Sequence, residues 1–261
     1  MRISELLEGF YKASAGWVAG RPLCLLLFAL IPTQQGMGPG PGTPHSAGGA
    51  AIAFDQVSVS AVATSSLTAS YSATVGSGLT NSAIYVGVAT NTGNTTTPVV
   101  NYGAATMTLV SAVGSWHAAA GTNFIFKLLS PPSGTATVLI TYTGGTPGVI
   151  YSQAVSYSGV AQTYTEDSTP AGTGGPSGST AVSNTTTTVA DNSWTLMFVA
   201  NSSSRTYTAG TGTTQRYVSG PAYVSFFDTN APVHPAGSAT LSATLNFGAY
   251  WGAAMISFAH A

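Results

Sequence analysis

From about residue 50 to the end, apolar side chains fall on alternate positions or in short unbroken runs, the period of β-strands. Such runs occupy 51–60, 66–73, 83–90, 105–113, 123–130, 135–143, 150–158, 193–200, 215–219, 222–228, 239–247 and 250–259. Turn-forming clusters punctuate them at Gly76-Ser77-Gly78, Pro131-Pro132-Ser133-Gly134, Gly144-Gly145 and Gly172 to Gly178. Proline presets φ and glycine accepts positive φ, so such clusters reverse the chain. Short strands at this spacing predict an all-β fold over residues 50–261, a β-sandwich or a barrel. The run Trp194-Thr195-Leu196-Met197-Phe198-Val199 is apolar at nearly every position, which places it mid-sheet with both faces covered. Residues 168–188, rich in Gly, Ser and Thr, read as a mobile loop, with Thr185 to Thr188 as an edge strand or spacer.

The beginning of the chain follows another pattern. Ile3, Leu6, Leu7 and Phe10 recur at helical spacing opposite Glu5, Glu8 and Lys12, which predicts a short amphipathic helix. The apolar stretch Leu23 to Ile31 that follows is too short to span a bilayer as a helix, which takes about 20 residues. Residues 1–32 therefore read in two ways. As an anchor, they would dock Leu6, Leu7, Phe10, Leu25, Leu26, Leu27 and Phe28 on a partner subunit. As an export signal, they have the right apolar length, but acids precede it and no A-x-A site follows Pro32. Residues 33–49 alternate Gly and Pro without an apolar period and read as a linker.

One pattern recurs within the domain. Residues 132–158 and 235–258 both open P-[S/A]-G-[T/S]-A-T, and both continue through a strand, a turn and a second apolar strand. An aromatic strand precedes each, FIFKLL at 124–129 and YVSFF at 223–227. Either the turn chemistry of a low-complexity chain has converged, or each half holds a related three-strand unit and the two pack as one antiparallel β-sandwich of jelly-roll type, the fold expected here.

Composition narrows the function classes. Only six basic and seven acidic residues occur in 261, with a net charge of −1. That leaves no electrostatic footprint for nucleic acid or anionic lipid. Serine (31) and threonine (37) take up the polar positions, and 44% of residues are apolar, enough for a core and against disorder. The lone cysteine, Cys24, excludes an intrachain disulfide and sits in the apolar run as a small hydrophobe.

Candidate chemistry is sparse. The chain lacks the phosphate-loop, dinucleotide, zinc-protease and nucleophile-elbow signatures. His45, His117, His234 and His260 stand apart; a metal site from His117, His234 and Asp228 is weighed against solvated loop histidines. Asp55, Glu166, Asp167, Asp191 and Asp228 offer carboxylate pairs, but no spacing selects one for glycoside hydrolysis. Trp116, Tyr207, Tyr217 and Tyr223 lie in or beside predicted loops, where an exposed ring stacks on the apolar face of a sugar. Three N-x-[S/T] sequons, at Asn94, Asn184 and Asn201, are as many as the Ser/Thr content alone produces.

Several segments carry a resemblance: VNYGAATMTLV at 100–110, LLSPPSGTATVLITYTG at 128–144, AVSYSGVAQTYTEDSTPAGTG at 154–174, TVADNSWTLMFVA at 188–200, TAGTGTTQRY at 208–217 and AGSATLSATLNFGAYWGAAMISF at 236–258. From about residue 52 on, the chain resembles a β-sandwich group found in phage structural proteins and in secreted or surface bacterial proteins. The resemblance implies a jelly-roll-like fold and a display role, with no catalytic residues, cofactor or metal to carry over. The expectation is a non-enzymatic virion protein, a decoration, head-fibre or tail-associated subunit. Its partners would be copies of itself and other virion proteins, held through the N-terminal segment, with cell-surface glycan as a further partner and neither nucleic acid nor a stable membrane span. The alternative is a secreted bacterial carbohydrate-binding or adhesion module.

Overall fold

A computed structural model describes residues 51–59, 61–91, 96–114, 121–163, 171–218 and 222–261. The expected N-terminal helix, apolar anchor and linker lie outside these residues. Within them every regular element is a strand.

The first half of the domain is a complete jelly roll. Its strands are β1 (Ala53–Val57), β2 (Ala61–Thr64), β3 (Thr68–Val75), β4 (Ala83–Thr90), β5 (Val99–Tyr102), β6 (Ala105–Thr106), β7 (Thr108–Gly114), β8 (Thr122–Leu129), β9 (Gly134–Thr141) and β10 (Val149–Ser158). The antiparallel pairs are nested: β5 with β6, β4 with β8, β3 with β9, and β1 and β2 with β10. A long hairpin rolled over itself gives this nesting, which defines the jelly roll. The outcome is an outer sheet β3-β9-β5-β6 and an inner sheet β1-β10-β4-β8-β7, with β2 also on β10.

The second half repeats the order. It holds β11 (Ala171–Thr187), β12 (Trp194–Arg205), β13 (Tyr207–Ala209), β14 (Thr214–Arg216), β15 (Ala222–Asp228) and β16 (Ser238–Phe258). β11 pairs with β16 along its length, β12 with β15, β15 with β14, and β13 with the first half of β16. The second half of β16 pairs with β12. Strand for strand, β4 corresponds to β12, β5 to β13, β8 to β15, and β9 and β10 to the two halves of β16. The sheet β11-β16-β12-β15-β14 therefore bends over on itself into an inner and an outer layer. The bend falls where β11 loses register between Gly175 and Ala181. There a Cβ on Gly248 would lie 2.3 Å from the Gly178 carbonyl oxygen, so only glycine lets the two backbones approach.

The recurring P-x-G-x-A-T motif thus opens equivalent strands, β9 and β16. The correction concerns scale: each half is a sandwich of its own, not half of one sandwich.

Four layers enclose three cores. One core lies between the two sheets of the first unit and holds Val86, Val88, Phe124, Val138 and Ile140. A second lies between the two layers of the second unit and holds Met197, Phe227, Leu241, Trp251 and Met255. The third joins the inner sheets and is the most aromatic, with Tyr85, Tyr157, Trp194, Phe198, Phe226 and Phe258. This stacking explains the unbroken apolar runs, since β4 and the start of β12 are buried at every position between two cores. Across the central core the strands meet their own counterparts. Phe198 of β12 covers Gly87 of β4, where a Cβ would fall 2.2 Å from the ring. Tyr157 of β10 meets Phe258 of β16 at a centroid separation of 5.2 Å. Like meeting like is what face-to-face pairing about a two-fold axis produces.

Several boundaries differ from the sequence pattern. Residues 171–187 form a strand, not a loop, because β16 supplies partners for the backbone and Val182, Asn184 and Thr186 point into the core. The run at 239–259 is one bent strand. The run at 51–60 holds β1 alone, and β2 follows beyond its end on the same sheet. The run at 105–113 breaks into β6 and β7, where the chain changes sheet. β5 and β13 were not anticipated as strands: each is short, and turn residues flank it.

Candidate functional site

The anchor residues Leu6, Leu7, Phe10, Leu25, Leu26, Leu27 and Phe28, and the ring candidate Trp116, lie outside the described residues. The other three rings are drawn into packing. Tyr207 lies on β13 and is buried, its ring edge-on to Phe227 at 5.3 Å, and its hydroxyl accepts from Asn201 Nδ2 at 2.6 Å. Tyr223 stacks on Tyr151 at 4.6 Å across the junction of the two units. Tyr217 is half-buried against the core of the second unit. Only the half-buried Tyr217 and Tyr223 keep part of a ring at the surface.

The described acids are held by local structure. Asp228 is fully buried at the end of β15 and receives Arg216 Nε at 2.7 Å and Nη2 at 3.1 Å, a bidentate pair. Tyr157 donates its hydroxyl to the same carboxylate at 2.7 Å. The Arg216 guanidinium lies 4.0 Å over the ring of Phe54 on β1. This cluster joins β14 and β15 of one unit to β1 and β10 of the other. Asp55 accepts the Gly76 amide and the Ser156 hydroxyl, both at 2.8 Å. Asp191 accepts the Ala236 amide at 2.6 Å and stands 3.5 Å from His234 Nδ1. Of the weighed metal trio, His117 is outside the described residues, Asp228 faces Arg216, and His234 sits beside Asp191 in an exposed turn. Among the described residues no three His, Cys, Asp or Glu side chains cluster to hold a metal, and no helix is long and apolar enough to cross a membrane.

Two further polar bridges tie the inner sheets. Gln153 of β10 accepts the Phe226 amide at 3.1 Å, and Asn123 of β8 donates to the Gly252 carbonyl at 2.8 Å. Burial raises the pKa of the hydroxyls of Tyr71, Tyr142 and Tyr207 and pushes Tyr151 up to about 12. At Tyr157 burial acts first, and the neighbouring Asp228 charge adds to it.

The outward faces are uncharged and rich in hydroxyls, with Val99 and Leu139 also exposed on the first unit. On the first unit Thr68, Ser70, Ser72 and Thr74 stand beside Thr135 and Thr137, all exposed. On the second, Ser183, Thr185 and Thr187 stand beside Thr240 and Thr244. Cross-strand hydroxyls bond at 2.8 Å between Thr74 and Thr135 and between Thr185 and Thr240. The edge strands β3, β7 and β11 carry no charged residue.

Sequence reasoning missed one ring, Phe247, which is 65% exposed on β16 with Arg205 5.7 Å over it. Its signal is a break in alternation, since Asn246 and Phe247 are consecutive exposed positions in a strand. Compared with protein-family profiles, curated proteins and solved structures, the chain matches none of them.

Proposed function

We infer that the chain is a non-enzymatic structural subunit of a phage virion, displaying a double jelly roll from its N-terminal segment. The observation that carries this reading is the uncharged edge strands β3, β7 and β11 together with the hydroxyl-rich faces. β11 runs for 17 residues at a sheet edge with no charge on it. Pro176 and the register breaks between Gly175 and Ala181 interrupt it, but its regular stretch 181–187 has none of the charges, prolines or bulges with which soluble monomers usually protect an edge, where unpaired N–H and C=O groups recruit another strand. A nearly neutral surface also gives little colloidal repulsion, which suits a subunit that packs against copies of itself. The described carboxylates stabilise turns and the junction between the units, in keeping with a scaffold.

The test is the intact mass and N-terminal sequence of the native protein, with its sedimentation in the same sample. Assembly into a particle far larger than the 26.2 kDa chain, with residues 1–32 retained, is expected. A monomer that begins after residue 32 would overturn the virion reading in favour of a secreted module.

A further inference from the structure

The geometry points to the corner formed by Arg205 and Phe247 as a binding site for a carboxylated saccharide, with Phe247 stacking on the sugar and the guanidinium holding its carboxylate. Two singular features of this surface coincide there. Phe247 is the one Phe, Tyr or Trp ring among the described residues left mostly in solvent, at 65% exposure. Arg205 is the one described cation without a hydrogen-bonding or ionic partner among them: Arg216 is bound to Asp228, and Lys127 is engaged. The guanidinium carbon stands 5.7 Å from the ring centroid, and Arg205 Nε is buried without a partner.

The backbone fixes this pair. It lies between the paired positions Asn201↔Trp251 and Tyr207↔Leu245, where β12 gives way to β13 and β16 bends. The Thr206 amide donates to Asn246 Oδ1 at 3.2 Å, and the Tyr250 amide to Ser202 Oγ at 3.2 Å, so the flanking polar side chains are held as well. The internal repeat provides a control. The equivalent corner of the first unit, between β9 and β10, carries Gly144-Gly145. The only aromatic ring in that connection, Tyr142, is buried, and the position matching Phe247 is Gly144, so the exposed ring of the second unit is an addition to the architecture.

The ligand class follows from the chemistry. An exposed ring face matches the apolar face of a pyranose, and an unpaired guanidinium presents its N–H donors to a carboxylate. Ser203, Ser204, Thr206 and Asn246 flank the pair in sequence, and all four carry neutral hydrogen-bonding groups of the kind suited to hydroxyls. A single cation matches one acid per ligand and argues against a polyacidic peptide. The site deepens the display reading, since a displayed module needs something to hold.

Sialyllactose, methyl galacturonide (one carboxylate each), lactose and an acetylated Asp-Glu peptide are each titrated into the full chain by calorimetry. At least one acidic sugar is expected to bind, with lactose and the peptide about tenfold weaker or silent, roughly the worth of one charge-assisted contact. Arg205→Gln and Phe247→Ala should each lower that affinity about tenfold while leaving the thermal midpoint in place, since both side chains lie outside the cores. Arg205→Lys should fall between, because it keeps the charge and loses the planar stack. Failure of both acidic sugars to bind, equal binding of lactose or the peptide, or unchanged binding by the variants would each overturn the site. Sedimentation of the same samples separates the two readings: a monomer that binds the acidic sugar refutes the virion assembly alone.

Discussion

At the residue scale, a few positions decide how the two units join, and Gly87 is the clearest. It sits mid-strand on β4, where glycine costs about 0.5–1 kcal/mol relative to alanine, yet the ring of Phe198 fills the space a Cβ would take. Gly87→Ala is therefore expected to destabilise the fold by about 1–3 kcal/mol through overpacking. Phe198→Leu should relieve that strain, so the double variant should lose less than the sum of the single changes in urea unfolding. Strict additivity would show that the ring does not rest on the glycine. The cluster of Asp228, Arg216 and Tyr157 acts differently. Removing one partner of such a buried pair costs roughly 3–5 kcal/mol, because the other charge is left without compensation. None of these roles can be read from local sequence. Gly87 looks like a strand weakness, and Asp228 and Arg216, 12 residues apart, look like separate, unrelated charges.

At the element scale, β11 and β16 carry the architecture of the second unit. Each serves both layers, and the bend at Gly178 and Gly248 replaces the separate strands of the first unit. β11 is also the longest uncharged edge. Ser183→Lys places a charge on its exposed face, away from the core, and should shift stability by less than about 0.5 kcal/mol. If β11 is an assembly contact, this variant should sediment as a monomer at concentrations where the parent assembles. Undiminished assembly would exclude β11 from the contact. The sequence pattern located most strands because alternation reports a half-buried face directly. It missed all of β11 but the end, where residues 185–188 read as an edge strand or spacer, because glycine and threonine do not mark burial; only the partner strand makes that segment regular.

At the scale of the whole molecule, the buried tyrosines couple the fold to alkaline pH. Burial raises the folded-state pKa of Tyr71, Tyr142, Tyr157 and Tyr207, and that of Tyr151 to about 12, above the unfolded value of 10.0. The folded state thus holds protons that the unfolded chain releases. Their stabilisation is fully present below pH 10.0 and is lost as pH rises toward the folded values. Each tyrosine so held removes roughly 1.4 kcal/mol per pH unit in that window. Loss of β-sheet circular dichroism should therefore coincide with a cooperative rise in tyrosinate absorbance above pH 10.0. A gradual rise near that pH with the fold intact would show that the rings are open to solvent. Because Tyr157 and Tyr151 lie at the junction of the units, both halves should unfold in one transition.

Alternation and turn chemistry, both local properties, sufficed to establish an all-β domain, its charge-poor surface, the central position of residues 194–199 and the recurrence of the P-x-G-x-A-T motif. Those properties depend on neighbours within a few residues, which is why a linear reading recovers them. Tertiary structure alone decided that the motif marks two complete jelly rolls, that like strands meet across an aromatic core, and that Tyr207 turns inward while Phe247 turns out beside Arg205. Each of those facts depends on which distant strand comes to lie alongside, and pairing between segments far apart in sequence leaves no local trace.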